Sequence, residues 1–327
     1  VLAELDAHGS PATVRSAGGR YFGFVIGGSL PAALAANILA AAWDQNAGLE
    51  VASPVGAELE KVCRTWLLDL LGLPTEMELG FVTGATMANF TGLAAARHAL
   101  LAAQGWNVED QGLFDAPPID VIVGDEVHVS LLKALSMLGL GRARVRRVPV
   151  DGQGRMMPAE FPAIERPTII CLQAGNVNTG AFDPVEEIAA LVKGKQVWLH
   201  VDGAFGLWAA ACPSKRHLIP GLEAVDSIAT DAHKWLNVPY DSGLVFVKDS
   251  KHLNAAMAAS AAYLLAGEAR DPHLFVPEMS RRARAVEIWA ALRSLGREGL
   301  ADLVDRCCVY ARTFGDAFQA AGYEVLN

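Results

Sequence analysis

Short apolar runs alternate with helix-patterned segments over about 170 residues, and this alternation restricts the fold more than any other feature of the chain. The runs are FV before Thr83, the stretch 119–123, RVRRVPV, PTIICLQAG, QVWLHVDG, AVDSIAT and SGLVFV. Between several of them lie helical patterns such as LLKALSMLGLG and PVEEIAALVKG. Parallel neighbours cannot be joined by a tight hairpin, so strands that alternate with helices imply crossovers packed on both faces of a sheet. The predicted class is α/β: an open, mostly parallel seven-stranded sheet with helices on both faces.

The flanks read differently. Residues 1–30 are rich in Gly and turn residues and predict an arm without a long element, followed by an Ala-rich helix from Pro31 to about Trp43. A second helix runs through ELEKVCRTWLLDLLG, with Leu59, Val62, Trp66, Leu67 and Leu70 on one face and Gly72 as its stop. We divide the chain into an N-terminal arm and helical layer (1–45), a large domain (46–275) and the start of a small C-terminal α/β domain (276–327). The chain begins at Val1 rather than Met and ends just after an apparent strand start at Tyr323, Val325 and Leu326, which reads as a cut within a domain.

With a formal charge of -9, a nucleic acid or anionic membrane surface is disfavoured as partner, since both need a basic face. The cluster Arg142, Arg144, Arg146, Arg147 reads as one face of a short strand. The most apolar stretch, LPAALAANILAAAW, is interrupted by Asn37 and reads as a packed helix rather than a membrane span. Five cysteines without metal-ligand spacing, two of them (Cys171 and Cys212) in apolar surroundings, indicate free thiols and a reducing, cytoplasmic setting.

Four features carry chemistry. Lys234 emerges from TDAHKWLNVPY where a buried strand stops; a lysine held against an apolar wall is a usable amine nucleophile. At Gly84, Ala85 and Thr86 a strand turns at once into a helix, and free N–H groups at a helix start favour an anion such as phosphate. His128 lies at another strand-to-helix junction. Asp202 ends the strand VWLHVD, where an apolar setting makes a carboxylate costly unless it meets a cation or strong donor. A metal reading pairs Asp202 with His200, two apart on one strand face, but no third ligand lies at useful spacing, and we assign no metal.

Pyridoxal 5'-phosphate asks for this set: a lysine for the aldehyde, a carboxylate for the pyridine nitrogen, a ring over the face and donors for the phosphate. Together with YFGFV, SPVGAELE, TGATMAN, DEVHVS, AGNVNTGAFDP, WLHVDGAFG, DAHKWLNVPYDSG and SRRARAVEIWAALRSLG, from about Tyr21 to Gly299, the chain resembles the group II pyridoxal-phosphate-dependent amino-acid decarboxylases of fold-type I. The resemblance implies a small-molecule amino-acid substrate, decarboxylation through a Lys234 aldimine and a quinonoid, and a homodimer with shared active sites. It implies that Asp202 partners the pyridine nitrogen, staying ionised with a lowered pKa, and that His128 stacks on the ring with Ala204 on the other face. It further implies that Ala85, Thr86 and His233 hold the phosphate, with Gly84, also taken as cofactor-binding, letting the backbone approach it.

Tyr263, 29 residues after Lys234, stands where the family's decarboxylases carry a mobile-loop tyrosine that protonates the carbanion and where aldehyde-forming relatives carry phenylalanine. Two departures stand out. The loop over the cofactor reads Gly175, Asn176, Val177, Asn178, Thr179 instead of Gly-Thr-Thr, with Asn178 taken as a cofactor contact. Asp231 replaces an Asn, and because a carboxylate repels phosphate it is expected to turn toward a donor elsewhere.

Overall fold

The computed structural model describes residues 1–259 and 270–327. Its strands are β1 (Glu78–Val82), β2 (Asp120–Gly124), β3 (Arg146–Val148), β4 (Thr168–Gln173), β5 (Val197–Asp202), β6 (Ser227–Asp231) and β7 (Gly243–Val247). They form one sheet in the order β1-β7-β6-β5-β4-β2-β3. The pairs among β3, β2, β4, β5 and β6 are parallel, whereas β7 runs antiparallel to both β6 and β1.

The helices are α1 (Leu2–Gly9), α2 (Pro31–Trp43), α3 (Pro54–Leu71), α4 (Ala85–Ala102), α5 (Val108–Gln111), α6 (Val129–Met137), α7 (Val185–Leu191), α8 (Ser250–Met257) and α9 (Ala285–Ala320). Local signals set their limits. Ser53 caps α3 by accepting from the Gly56 amide at 3.3 Å, Pro54 sits in the first turn, and Gly72 ends the helix in the left-handed conformation.

Both faces of the sheet are covered. Alternate strand residues point to opposite sides: Ile170 and Leu172 join one buried cluster with Cys63 and Leu67 of α3, Ile188 of α7 and Ile288 of α9. Ile169 and Cys171 join the other, with Leu93 of α4, Leu135 of α6 and Leu253 of α8. The strands are therefore apolar on both faces, which is why they read as continuous runs. One buried charge, Glu60 of α3, is matched by Arg281 and Arg270; removing one partner of such a pair typically costs about 3–5 kcal/mol.

Three sequence expectations need correction. The arm contains a two-turn helix, α1, before its loops. Only Arg146 and Arg147 of the basic cluster lie in β3, and as successive residues they point apart, one toward Asp120 and the other to the Asp125 carbonyl. Residues 321–327 form a turn and a tail outside any strand, tied to neighbouring loops by Gln153 Nε2 donating to the Leu326 carbonyl at 2.8 Å and Asn327 Nδ2 to the Thr179 carbonyl at 3.1 Å.

Candidate active site

The C-terminal ends of β5 and β6 lie side by side, with Asp202 in register with Ala229. In an open α/β sheet this is the edge where ligands collect. β5 delivers Asp202 and then Ala204, while β6 ends on Asp231 and is followed by His233 and Lys234. α4 starts at Ala85 and α6 just after His128. The 83–86 segment, His128, Ser130, Asp231, His233 and Lys234 line a cavity of about 280 Å³.

Lys234 Nζ stands 3.1 Å from Asp231 Oδ2. Asp231 Oδ1 accepts from the Ala85 amide at 2.6 Å and faces His233 Nε2 at 3.3 Å. The Ser242 amide donates to His233 Nδ1 at 3.2 Å, so the ring proton sits on Nε2, toward Asp231. Burial holds His233 below the ordinary imidazole value, with Asp231 opposing that shift.

Asp231 thus turns into the cradle rather than away from it, contrary to expectation. The helix amide, the lysine and the histidine are the strongest donors within reach, and three of them outweigh the intrinsic cost of burying the carboxylate. Room for an anion remains. The first amide bonded within α4 is that of Ala88, which donates to the Gly84 carbonyl at 2.9 Å, so those of Thr86 and Met87 have no helical partner. Ser242 Oγ is buried beside His233 and has no partner among the described residues. A Cβ on Gly84 would lie 3.0 Å from His233 Cε1 and 3.2 Å from Asp231 Oδ1, so any larger residue would fill the cradle.

Asp202 is 4% exposed. Its Oδ2 accepts from Asn89 Nδ2 at 3.0 Å and its Oδ1 from the Ala204 amide at 3.2 Å. Burial pushes this carboxyl above its ordinary value, and Asn89, His128, Lys234 and Ala204 oppose the shift without cancelling it. The expected lowering belongs to a carboxylate paired with the pyridinium; in the chain by itself neither His128 nor Lys234 is ion-paired to Asp202.

His128 caps α6. The Ser130 amide donates to its Nδ1 at 3.3 Å, and Ser130 Oγ stands 2.7 Å from the same nitrogen, which leaves the ring proton on Nε2. The cap fixes the ring at the mouth of the cavity, so the structural role and the candidate functional one coincide.

Lys234, Asp202, His128, Gly84, Ala85, Thr86, Ala204 and His233 therefore gather at one sheet edge. Asn178 does not join them. It is exposed in the turn after β4 and lines a groove against 323–327, while Asn176 is buried and accepts from the Asn178 amide at 2.8 Å. The turn is closed by Asn176, and that geometry points residue 178 outward. Tyr263 lies outside the described residues. Sequence reasoning overlooked Asn89, although a polar residue one turn after Ala85 in a helix of small residues was the signal.

The residues fit pyridoxal phosphate: an amine and a set of donors at a helix start line one cavity, and a buried carboxylate ends the neighbouring strand β5. Residues 18–326 match the family model described as the pyridoxal-dependent decarboxylase conserved domain. The chain belongs to this family. It is 28% identical to tryptophan decarboxylase 1 of Oryza sativa subsp. japonica, over 96% of this chain and 66% of the relative. It is 32% identical to a tyrosine decarboxylase from the same plant, over 84% of this chain and 53% of that protein. Among solved structures it is similar to Oryza sativa TDC with PLP and tryptamine, with a TM-score of 0.84 and 26% identity over 92% of this chain and 65% of that one. The chain spans between 53% and 66% of the length of these two curated relatives. The fold is that of fold-type I pyridoxal-phosphate enzymes. Among the described residues no helix is long and apolar enough to cross a membrane.

Proposed function

We propose that the protein decarboxylates an L-amino acid to the corresponding amine and carbon dioxide with pyridoxal 5'-phosphate as cofactor. The observation that carries this reading is the placement of Asp202 at the end of β5 and of Lys234 just past the end of the adjacent β6, close to the start of α4. Lys234 would hold the aldehyde and Asp202 the pyridine nitrogen; Thr86, the free α4 amides, His233 and Ser242 would receive the phosphate, and His128 would lie against the ring. When bound, the cofactor supplies a conjugated system that accepts the electron pair left by the departing carboxylate.

The chain's own residues orient and protect that chemistry. Asp202, once paired with the pyridine N–H, becomes a carboxylate with a cation in contact, which offsets its burial. His128, with its proton on Nε2, offers a donor at the ring face. Tyr263 is proposed as the acid that delivers a proton to the substrate carbon. Incubating the loaded enzyme with each of the twenty amino acids should release carbon dioxide and amine in equal amounts from at least one. With Tyr263→Phe the amine rate should fall by roughly 10²–10⁴, the loss expected for a missing general acid, with some turnover diverted to aldehyde. Equal product from both enzymes would remove Tyr263 from this role, and no carbon dioxide from any amino acid would remove the decarboxylase reading.

We also propose a homodimer in a cytoplasmic setting, which free, buried Cys63, Cys171 and Cys212 support for the compartment. For the dimer, α2 is apolar around its circumference yet buries only Ala33 and Ala40, leaving Ile38 64% and Trp43 40% exposed, with Phe24 of the arm at 90%. An uncovered surface of this kind calls for a partner, and a second copy is the occupant we assign. Sedimentation equilibrium should give twice the chain mass at micromolar concentration; a monomer mass for the cofactor-loaded protein contradicts the assignment.

A further inference from the structure

The far side of Asp202 carries a second polar system that the reading above does not use. Strand alternation places Trp198, His200 and Asp202 on one face of β5, beneath α4. His200 is fully buried and in register with Ser227 of β6. Trp198 Nε1 donates to Ser227 Oγ at 2.8 Å; Ser227 Oγ and His200 Nδ1 are 2.8 Å apart; His200 Nε2 and Asn89 Oδ1 are 2.8 Å apart; and Asn89 Nδ2 donates to Asp202 Oδ2 at 3.0 Å. Space for the imidazole comes from α4: a Cβ on Gly92, three residues after Asn89, would crowd His200 Nδ1 and Cε1 at 3.1 Å and Ser227 Oγ at 3.3 Å.

The direction of every bond in this chain is fixed by its first member. An indole N–H can only donate, so Ser227 Oγ accepts from Trp198. The serine proton then has one acceptor within the chain, His200 Nδ1, which makes His200 the Nε2–H tautomer. That N–H requires the Asn89 oxygen, and the Asn89 amino group is left to face Asp202. Reversing the amide would set oxygen against carboxylate oxygen and put two donors on Ser227, whose own proton would have no acceptor among the described residues. His200 also stays out of the way of titration, since burial lowers its pKa to about 3.

We propose that Asn89 is a positioning residue whose amide polarity, imposed through Trp198, Ser227 and His200, keeps an N–H donor on Asp202 and so holds it as the carboxylate that accepts a hydrogen bond from the pyridinium N–H. This rests on the functional reading for the identity of the group that Asp202 serves. The polarity itself is independent of it, because all five residues lie within the chain. Asn89 acts on the cofactor only through Asp202, so its signature is cofactor affinity and tautomer state rather than substrate recognition.

The test uses the full chain labelled with [15N]histidine, with and without pyridoxal 5'-phosphate. In the wild type, His200 should show a pyrrole-type Nε2 and a pyridine-type Nδ1 in both states. A protonated Nδ1, alone or in an imidazolium, overturns the proposal. Ser227→Ala should mix the two tautomers and raise the dissociation constant of pyridoxal 5'-phosphate about tenfold, and Ser227→Thr should restore both. Asn89→Leu should weaken cofactor binding at least as much while leaving the His200 ring neutral. If Ser227→Ala lowers only the melting temperature and leaves tautomer and cofactor affinity unchanged, the relay is packing and the proposal falls. Wild-type protein that binds no pyridoxal 5'-phosphate would refute the functional reading and with it the role toward cofactor, whereas the tautomer result separately decides the amide polarity.

Discussion

Lys234→Ala is expected to fold, to bind pyridoxal 5'-phosphate without a covalent bond, and to lose decarboxylation to background. Borohydride reduction followed by peptide mass spectrometry should place the reduced cofactor on Lys234 in the wild type and nowhere in the variant. Attachment at Lys195 or Lys248 instead would refute the assignment. The substitution also has a stability signature. Lys234 Nζ is the cation on Asp231 Oδ2, and Asp231 is 2% exposed, so its loss should cost about 1.5–3 kcal/mol, the usual worth of a hydrogen bond to a charged group. His233 faces the other oxygen, and Lys234 is among the influences that lower its pKa. Removing the lysine therefore raises the His233 pKa in the folded variant. A raised folded pKa gives stability that is present at low pH and lost as pH rises through it. Denaturant unfolding should accordingly show a smaller penalty for Lys234→Ala at pH 6 than at pH 8, and equal penalties would mean that Lys234 does not act on His233.

Asp202→Asn is expected to divide stability from function. In cofactor-free protein the carboxyl is buried and pushed above its ordinary value, so it destabilises the fold as pH rises through that raised value. An amide in its place can still accept from Asn89 with its one oxygen; it gives up the acceptor for the Ala204 amide but carries no charge to desolvate. The variant should match or exceed the wild type in cofactor-free stability at pH 8, by about 1 kcal/mol on the scale typical for removing a costly buried charge. Its cofactor affinity should fall and its turnover drop by about two to four orders of magnitude, since a neutral amide cannot hold the pyridinium proton. Differential scanning calorimetry with and without pyridoxal 5'-phosphate tests both halves. A variant with near-normal turnover would mean that the protonated ring is not used as the electron sink.

The two variants bear on the same proposed chemistry from two neighbouring positions at one sheet edge. Asp202 ends β5 and Lys234 stands three residues past the end of the paired strand β6, so the β5–β6 pairing and the short turn after Asp231 together set the distance between their attachment points. Rigid strand ends suit a group that must be gripped at its aldehyde and at its ring nitrogen at once. On the proposed reading, the segments at either side would supply the phosphate donors and the ring contact, where small adjustments cost less.

By itself the sequence determined the class of fold and most of the site. Strands buried on both faces are apolar at most positions, and helices packed on them are amphipathic, so the alternation from β1 to β7 is legible without coordinates. Lys234, Asp202, His128 and the 83–86 turn were legible for a related reason: each is a polar residue at the point where an apolar run ends, and such points in an open sheet fall on one edge. Only the tertiary structure decided where Asp231, Asn178 and Asn89 go. Asp231 is drawn to the α4 start by donors from residues 85, 233 and 234, two of them local but the decisive amide 146 positions away. Asn178 is turned outward by bonds that Asn176 makes in the same loop, a competition between two identical side chains that spacing cannot settle. Asn89 meets Asp202 and His200 only because α4 lies across β5 and β6, and the direction of its amide follows from an indole 109 residues further along the chain that can do nothing but donate. Periodicity reports which face of an element is buried; it carries no record of which buried polar group meets which, because that depends on how two elements cross.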